Sequence, residues 1–78
     1  MNIHFTTTNM STYQLTEEPE GTYTVERFNP VRNVLVKDFY EEMEIIELGL
    51  GRSAHIKSKE LGHGDLVTSP VTWIGISK

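Results

Sequence analysis

From Thr12 onward the side chains alternate, with Tyr13 and Leu15 on one face and Thr12, Gln14 and Thr16 on the other. That two-residue period is the signature of a strand with one wet face. Glu18-Pro19-Glu20-Gly21 interrupts it with proline and glycine where a β-turn uses them. Alternation resumes with Tyr23 and Val25 inward and Thr24 and Glu26 outward. Thr12 to Phe28 is therefore expected to form a β-hairpin. Ile3 to Thr6 predicts a preceding strand that ends in a turn at Asn9-Met10-Ser11.

Beyond Phe28, Asn29-Pro30 breaks the chain, and Val31 to Lys37 predicts a third strand with apolar residues on both faces. Near the other end, Leu61 to Asp65 reads as a turn. Leu66 to Ser69 and Val71 to Ser77 read as strands, separated or bulged at Pro70, which has no N–H for a ladder. Both ends of the chain are rich in threonine, β-branched and aromatic residues, which suit a pleated, partly buried surface.

The middle of the chain admits two readings. Asp38-Phe39-Tyr40-Glu41 has the form of a capping box, after which Phe39, Met43, Ile46 and Leu50 would share one face of a helix ending at Gly49. Glu44 and Glu47 would then sit near the negative end of the helix dipole, with no basic partner four residues on. Alternatively, Glu42 to Leu48 and Ser53 to Lys59 form a hairpin about Gly49-Leu50-Gly51-Arg52. One register sets Glu44 opposite Lys57, Glu42 opposite Lys59 and Ile45 opposite Ile56. Each such pair contributes roughly 0.2–1 kcal/mol. The hairpin accounts for an acidic run facing a basic one, so it is preferred, with one helical turn at Asp38 to Glu41 still compatible. The expected fold is mainly β: a small, strongly bent antiparallel sheet or partly open barrel of six to eight short strands, with the helix near 38–48 as the alternative.

Length changes the picture in one way: 78 residues hold a single domain, 1–78, that buries roughly 60% of its unfolded surface. There is no cysteine to add a disulfide or a thiolate metal cage, so packing, a partner or oligomerisation must stabilise the core. The formal net charge is −4 and the seven basic residues are scattered from Arg27 to Lys78, which argues against a nucleic-acid partner. No apolar run approaches the roughly 18 residues of a membrane span, and no basic-then-apolar leader opens the chain. A cytoplasmic protein with no membrane association is the expectation.

Candidate chemistry is sparse. His63 and Asp65, flanking Gly64, would point the same way on an extended backbone, and His55 from a neighbouring strand would complete a three-ligand divalent-metal site. A solvated polar turn accounts for the same residues. Ser53, His55 and Asp65 can be drawn as nucleophile, base and orienter, but nothing resembles a nucleophile elbow. Gly49-Leu50-Gly51-Arg52 has an anion-cradle composition without phosphate-loop spacing, and a hairpin turn explains its glycines. No catalytic residue, metal or cofactor is assigned.

Two features point instead to a surface. Glu41, Glu42, Glu44 and Glu47 form an acidic run that serves as a solvated face, as a mimic of nucleic-acid phosphates or as a divalent-cation site. Trp73, Ile74 and Ile76 lie in a strand apolar on both faces, where Trp73 is either core or the anchor of an interface. Tyr13 joins them as a candidate interface residue. A rival comes from Ile46 to Ile56, whose E-L-G-L-G-R-S texture resembles helix-turn-helix DNA readers. That resemblance implies a winged-helix regulator with Arg52, Lys57 and Lys59 toward DNA, against which the neighbouring acidic run would repel phosphates.

Thr8-Asn9-Met10-Ser11-Thr12-Tyr13 and Thr68-Ser69-Pro70-Val71 resemble the early T-x-N-S-x-Y and late T-S-P-V segments of a loose group of short phage and bacterial proteins, with Met10 inserted. The resemblance implies a compact β-rich protein and suggests a phage or mobile-element accessory role. Together these features predict a small non-enzymatic binding or inhibitor protein, acting on a protein partner or a second copy of itself.

Overall fold

A computed structural model describes residues 1–28, 38–59 and 64–78. Six strands run in chain order: β1 (Asn2–Thr7), β2 (Thr12–Glu17), β3 (Tyr23–Phe28), β4 (Asp38–Glu47), β5 (Ser53–Ser58) and β6 (Leu66–Ser77). Each pairs antiparallel with the next, and β1 pairs with β6 to close a barrel. The mainly-β expectation holds. The sheet closes where a partly open barrel was allowed for, and no described residue is helical. The anticipated third strand at 31–37 lies outside the described residues.

The first hairpin joins β1 and β2 through Thr7 to Ser11. Thr7 N–H donates to Ser11 O at 3.0 Å and Met10 N–H to Thr7 O at 2.9 Å. Met10 takes a left-handed conformation, φ 66°. The β2–β3 hairpin repeats that arrangement: Glu18 N–H donates to Thr22 O at 2.8 Å, Gly21 N–H to Glu18 O at 3.0 Å, and Gly21 has φ 89°. One turn thus uses glycine at the left-handed position and its twin uses methionine.

The central segment settles on the hairpin. Glu44 lies opposite Lys57 and Ile45 opposite Ile56, while Lys59 N–H donates to Glu42 O at 3.1 Å, as the charge pattern predicted. The helical alternative over 38–48 fails, and the helix-turn-helix reading of 46–56 fails with it: these residues form the end of β4, a turn and the start of β5. Cross-strand pairing with β5 sets Glu44 against Lys57 and keeps the glutamates apart, where a helix would crowd them at its negative end; the register slips once, between Ile45 and Glu47. Of the two readings at Pro70, separated or bulged, the bulged one holds: Leu66–Ser77 is a single strand, β6. Pro70 is accommodated because the ladder is out of step there, Ser53 pairing with Pro70 and His55 with Val67.

Alternation along the strands fills the barrel with Ile3, Phe5, Tyr13, Leu15, Val25, Met43, Ala54, Ile56 and Val71, all buried. Phe5 and Tyr13 stack, with ring centroids 4.7 Å apart. Tyr13, expected at an interface, is therefore core: directly opposed to Phe5, it shares the inner face with Leu15.

Candidate functional site

Strands in a closed barrel tilt and slide past their neighbours. β6 shows the result. Its first half pairs with β5 from Leu66 to Pro70, and the second half pairs with β1 from Val71 to Ser77. Val71 closes the β5 side: its N–H donates to Arg52 O at 2.9 Å and its carbonyl accepts from Gly51 N–H at 2.8 Å. Past that point, among the described residues, no strand meets the edge of Thr72 to Ser77 that faces away from β1.

The side chains on this overhang are apolar on both faces. Trp73 is 55% exposed on the outer wall. Its indole lies over Gly75, where an added Cβ would come within 2.5 Å of the ring. Glycine at 75 is thus what lets the ring lie flat. Inside, a row of opposed residues runs Ile76, Ile3, Leu15, Val25, Tyr40 across β6, β1, β2, β3 and β4. Ile3, Leu15 and Val25 are buried, yet Ile76 at the end of the row is 66% exposed. Ile74, opposite Phe5, packs partly on the core. No charged residue occurs between Leu66 and Ser77.

The acidic residues gather elsewhere. Glu18, Glu20, Glu26, Glu41 and Glu42, with three threonines, line an open groove of about 480 Å³ beside the β3–β4 pair. β4 bulges here, three residues from Tyr40 to Met43 matching two from Val25 to Tyr23, and Glu42 sits at φ 54°. Glu47 forms an exposed ion pair with Arg52, 3.2 Å apart, so the acidic run is divided between the groove, the Lys57 pairing of Glu44 and this turn. The Arg52 guanidinium also lies against Gly49, so the glycine-rich turn is occupied by its own arginine. Tyr23 O–H donates to Glu17 Oε2 at 3.2 Å; burial first, then that bond and the carboxylate's charge, raises the phenol's pKa above its ordinary value.

His55 and Asp65 do meet, Nε2 to Oδ2 at 2.6 Å, on the outer wall with both side chains partly exposed. His63, the third suggested metal ligand, lies outside the described residues. Among the described residues no three of His, Asp and Glu gather as a metal site. Ser53 shares the face of β5 turned away from the buried Ala54 and Ile56, two residues from His55.

The two segments that carried the phage-like resemblance have structural roles. Asn9 Oδ1 accepts from Ser11 N–H at 3.3 Å and from the Thr7 hydroxyl, fixing the first turn. Thr68 Oγ1 accepts from the buried Ala54 N–H at 3.0 Å and donates to Ser69 O at 2.7 Å, supplying a bond where the β5–β6 ladder is out of step. Thr8 N–H donates to Pro70 O at 3.0 Å, so the two segments touch. Their textures could be seen in sequence, but the overhang of β6 could not, because it arises from stagger between strands and not from any local pattern. No described helix is long and apolar enough to cross a membrane. No family model, curated protein or solved structure matches this chain.

Proposed function

We propose that this chain is a non-enzymatic binding protein that works through a protein contact on the overhang of β6, with Trp73 as its anchor. The observation that carries this reading is the flat, exposed Trp73 indole on an uncharged strand whose outer edge no described strand meets. An aromatic ring held rigid over a glycine presents a large apolar surface at little entropic cost, the property that makes tryptophan prominent among interface anchors. A strand edge adds main-chain donors and acceptors that a partner strand can use. The phage or mobile-element accessory or inhibitor role implied by the sequence resemblance belongs to the same proposal. The test is capture from the native host with the parent and with Trp73→Lys, each first shown to keep its β spectrum by circular dichroism. The parent should retain a specific protein that the variant loses. Equal capture by both would refute the reading.

A further inference from the structure

We infer that the partner on this overhang is a second copy of the chain, joined by antiparallel pairing of β6 with β6 about a two-fold axis at Ile74. This rests on the binding reading above and names its partner.

Exposed strand edges are ordinarily blunted by charge, proline or a bulge. The barrel follows that rule on β4 and breaks it on β6. β4 carries Glu41 and Glu42 at the bulge beside its early residues. β6 has no charged residue from Leu66 to Ser77 and no proline from Thr72 on. Like is compatible with like on such a strand: two copies bring no like charges together at the seam. The chain's net charge of −4 would oppose association, but Glu18, Glu20, Glu26, Glu41 and Glu42 lie beside β3 and β4, three and two places from β6 around the barrel. Edge pairing through β6 turns those groups away from each other.

Register follows from the side chains. An isologous contact requires antiparallel strands. Centred on Ile74, the pairing sets Trp73 of each copy across from Gly75 of the other. Each Gly75 is covered by the indole of its own chain, so this register brings the two Trp73 rings side by side across the axis on the outer wall. The same register places Ile76 across from Thr72, so the row ending in the exposed Ile76 continues into the second copy. The contact therefore joins apolar to apolar and sets no charge against a like charge.

Sedimentation velocity from micromolar to millimolar concentration tests the association, and single cysteines test the register, since the chain has no cysteine of its own. The parent should sediment as a dimer at the upper end. Trp73→Lys, at an exposed position that leaves the core intact, should raise the dissociation constant by about 30-fold or more. Ile74→Cys should give a disulfide-linked dimer on mild oxidation, because opposed Cα atoms lie about 4.5–5.5 Å apart. Ser77→Cys should not, because two copies of residue 77 would be about 20 Å apart in this register. A dimer that survives Trp73→Lys, or that cross-links through Ser77→Cys and not Ile74→Cys, would overturn the inference. So would a parent that stays monomeric throughout. In that last case, Trp73-dependent capture of another protein leaves the binding reading standing, and its absence removes both.

Discussion

Met10 occupies the left-handed position of the β1–β2 turn at φ 66°, and Gly21 occupies the equivalent position of the β2–β3 turn at φ 89°. A residue with a Cβ pays roughly 1–2 kcal/mol to sit there relative to glycine. Glycine gives back about 0.5–1 kcal/mol through the greater freedom of its unfolded chain. Met10 is 60% exposed, so its removal forfeits little buried surface. Met10→Gly should therefore stabilise the fold by about 0.5–1 kcal/mol, which for a domain of this size raises the melting temperature by about 2–8 °C. Met10→Ala keeps the strain and should give no such gain. Gly21→Ala supplies the inverse: space is open around its Cβ, so strain alone sets the cost, about 1 kcal/mol. Thermal melts followed by circular dichroism, with urea titrations for the slope, measure all three. If Met10→Gly melts at or below the parent while Gly21→Ala is neutral, the assignment of strain to these turns is wrong.

Four further outcomes follow from the packing. Thr68→Val keeps the side-chain shape but leaves the buried Ala54 N–H without its acceptor, and should cost about 1–3 kcal/mol in urea unfolding. Phe5→Ala removes a fully buried ring stacked on Tyr13 and should cost about 3–5 kcal/mol, enough to leave much of the chain unfolded at room temperature. Because folding raises the Tyr23 pKa, this residue contributes stability below the ordinary phenol value of about 10 that is lost as pH rises through the raised one. Tyr23→Phe should therefore flatten the alkaline loss of stability, and ultraviolet difference titration should show the missing phenol ionising above that value. Asp65→Asn removes an exposed partner of His55 and should change stability by less than about 1 kcal/mol, measured in the same urea assay.

Where one face of a strand is buried, the sequence displays it. Thr12 to Phe28 could be read as a hairpin because Tyr13, Leu15 and Val25 alternate with polar residues about a Pro-Gly turn. The β4–β5 register could be read because Glu44 and Lys57 are opposite in charge and symmetric about the turn from Gly49 to Arg52. What sequence concealed were departures from the ideal ladder. Glycine usually announces a left-handed residue, and at Met10 and Glu42 it is absent. The bulge at Glu42 spoils strict alternation in β4, which is why 38–48 also resembled a helix. At Pro70 the sequence left a break and a bulge equally open, and the out-of-step ladder takes the bulge within one strand. Of the candidate surface, Trp73, Ile74 and Ile76 stood out by composition, but their exposure depends on how far β6 slides beyond β5. Tyr13 was misplaced because an aromatic on an apolar face looks the same whether that face meets the barrel interior or another molecule.

The seam between β1 and β6 sets Asn2 against Ser77, so the contacts that shut the ring are the most distant in sequence of any strand pairing in the barrel. Loop-closure entropy must be overcome before those contacts reward it, which places folding on the slow side, in the millisecond-to-second range typical of small β barrels. Until the ring shuts, both lips of the sheet are bare, and neither β1 nor β6 carries an aspartate, glutamate, lysine or arginine to keep other chains away. Slow refolding at high concentration is thus where intermolecular misassociation would begin.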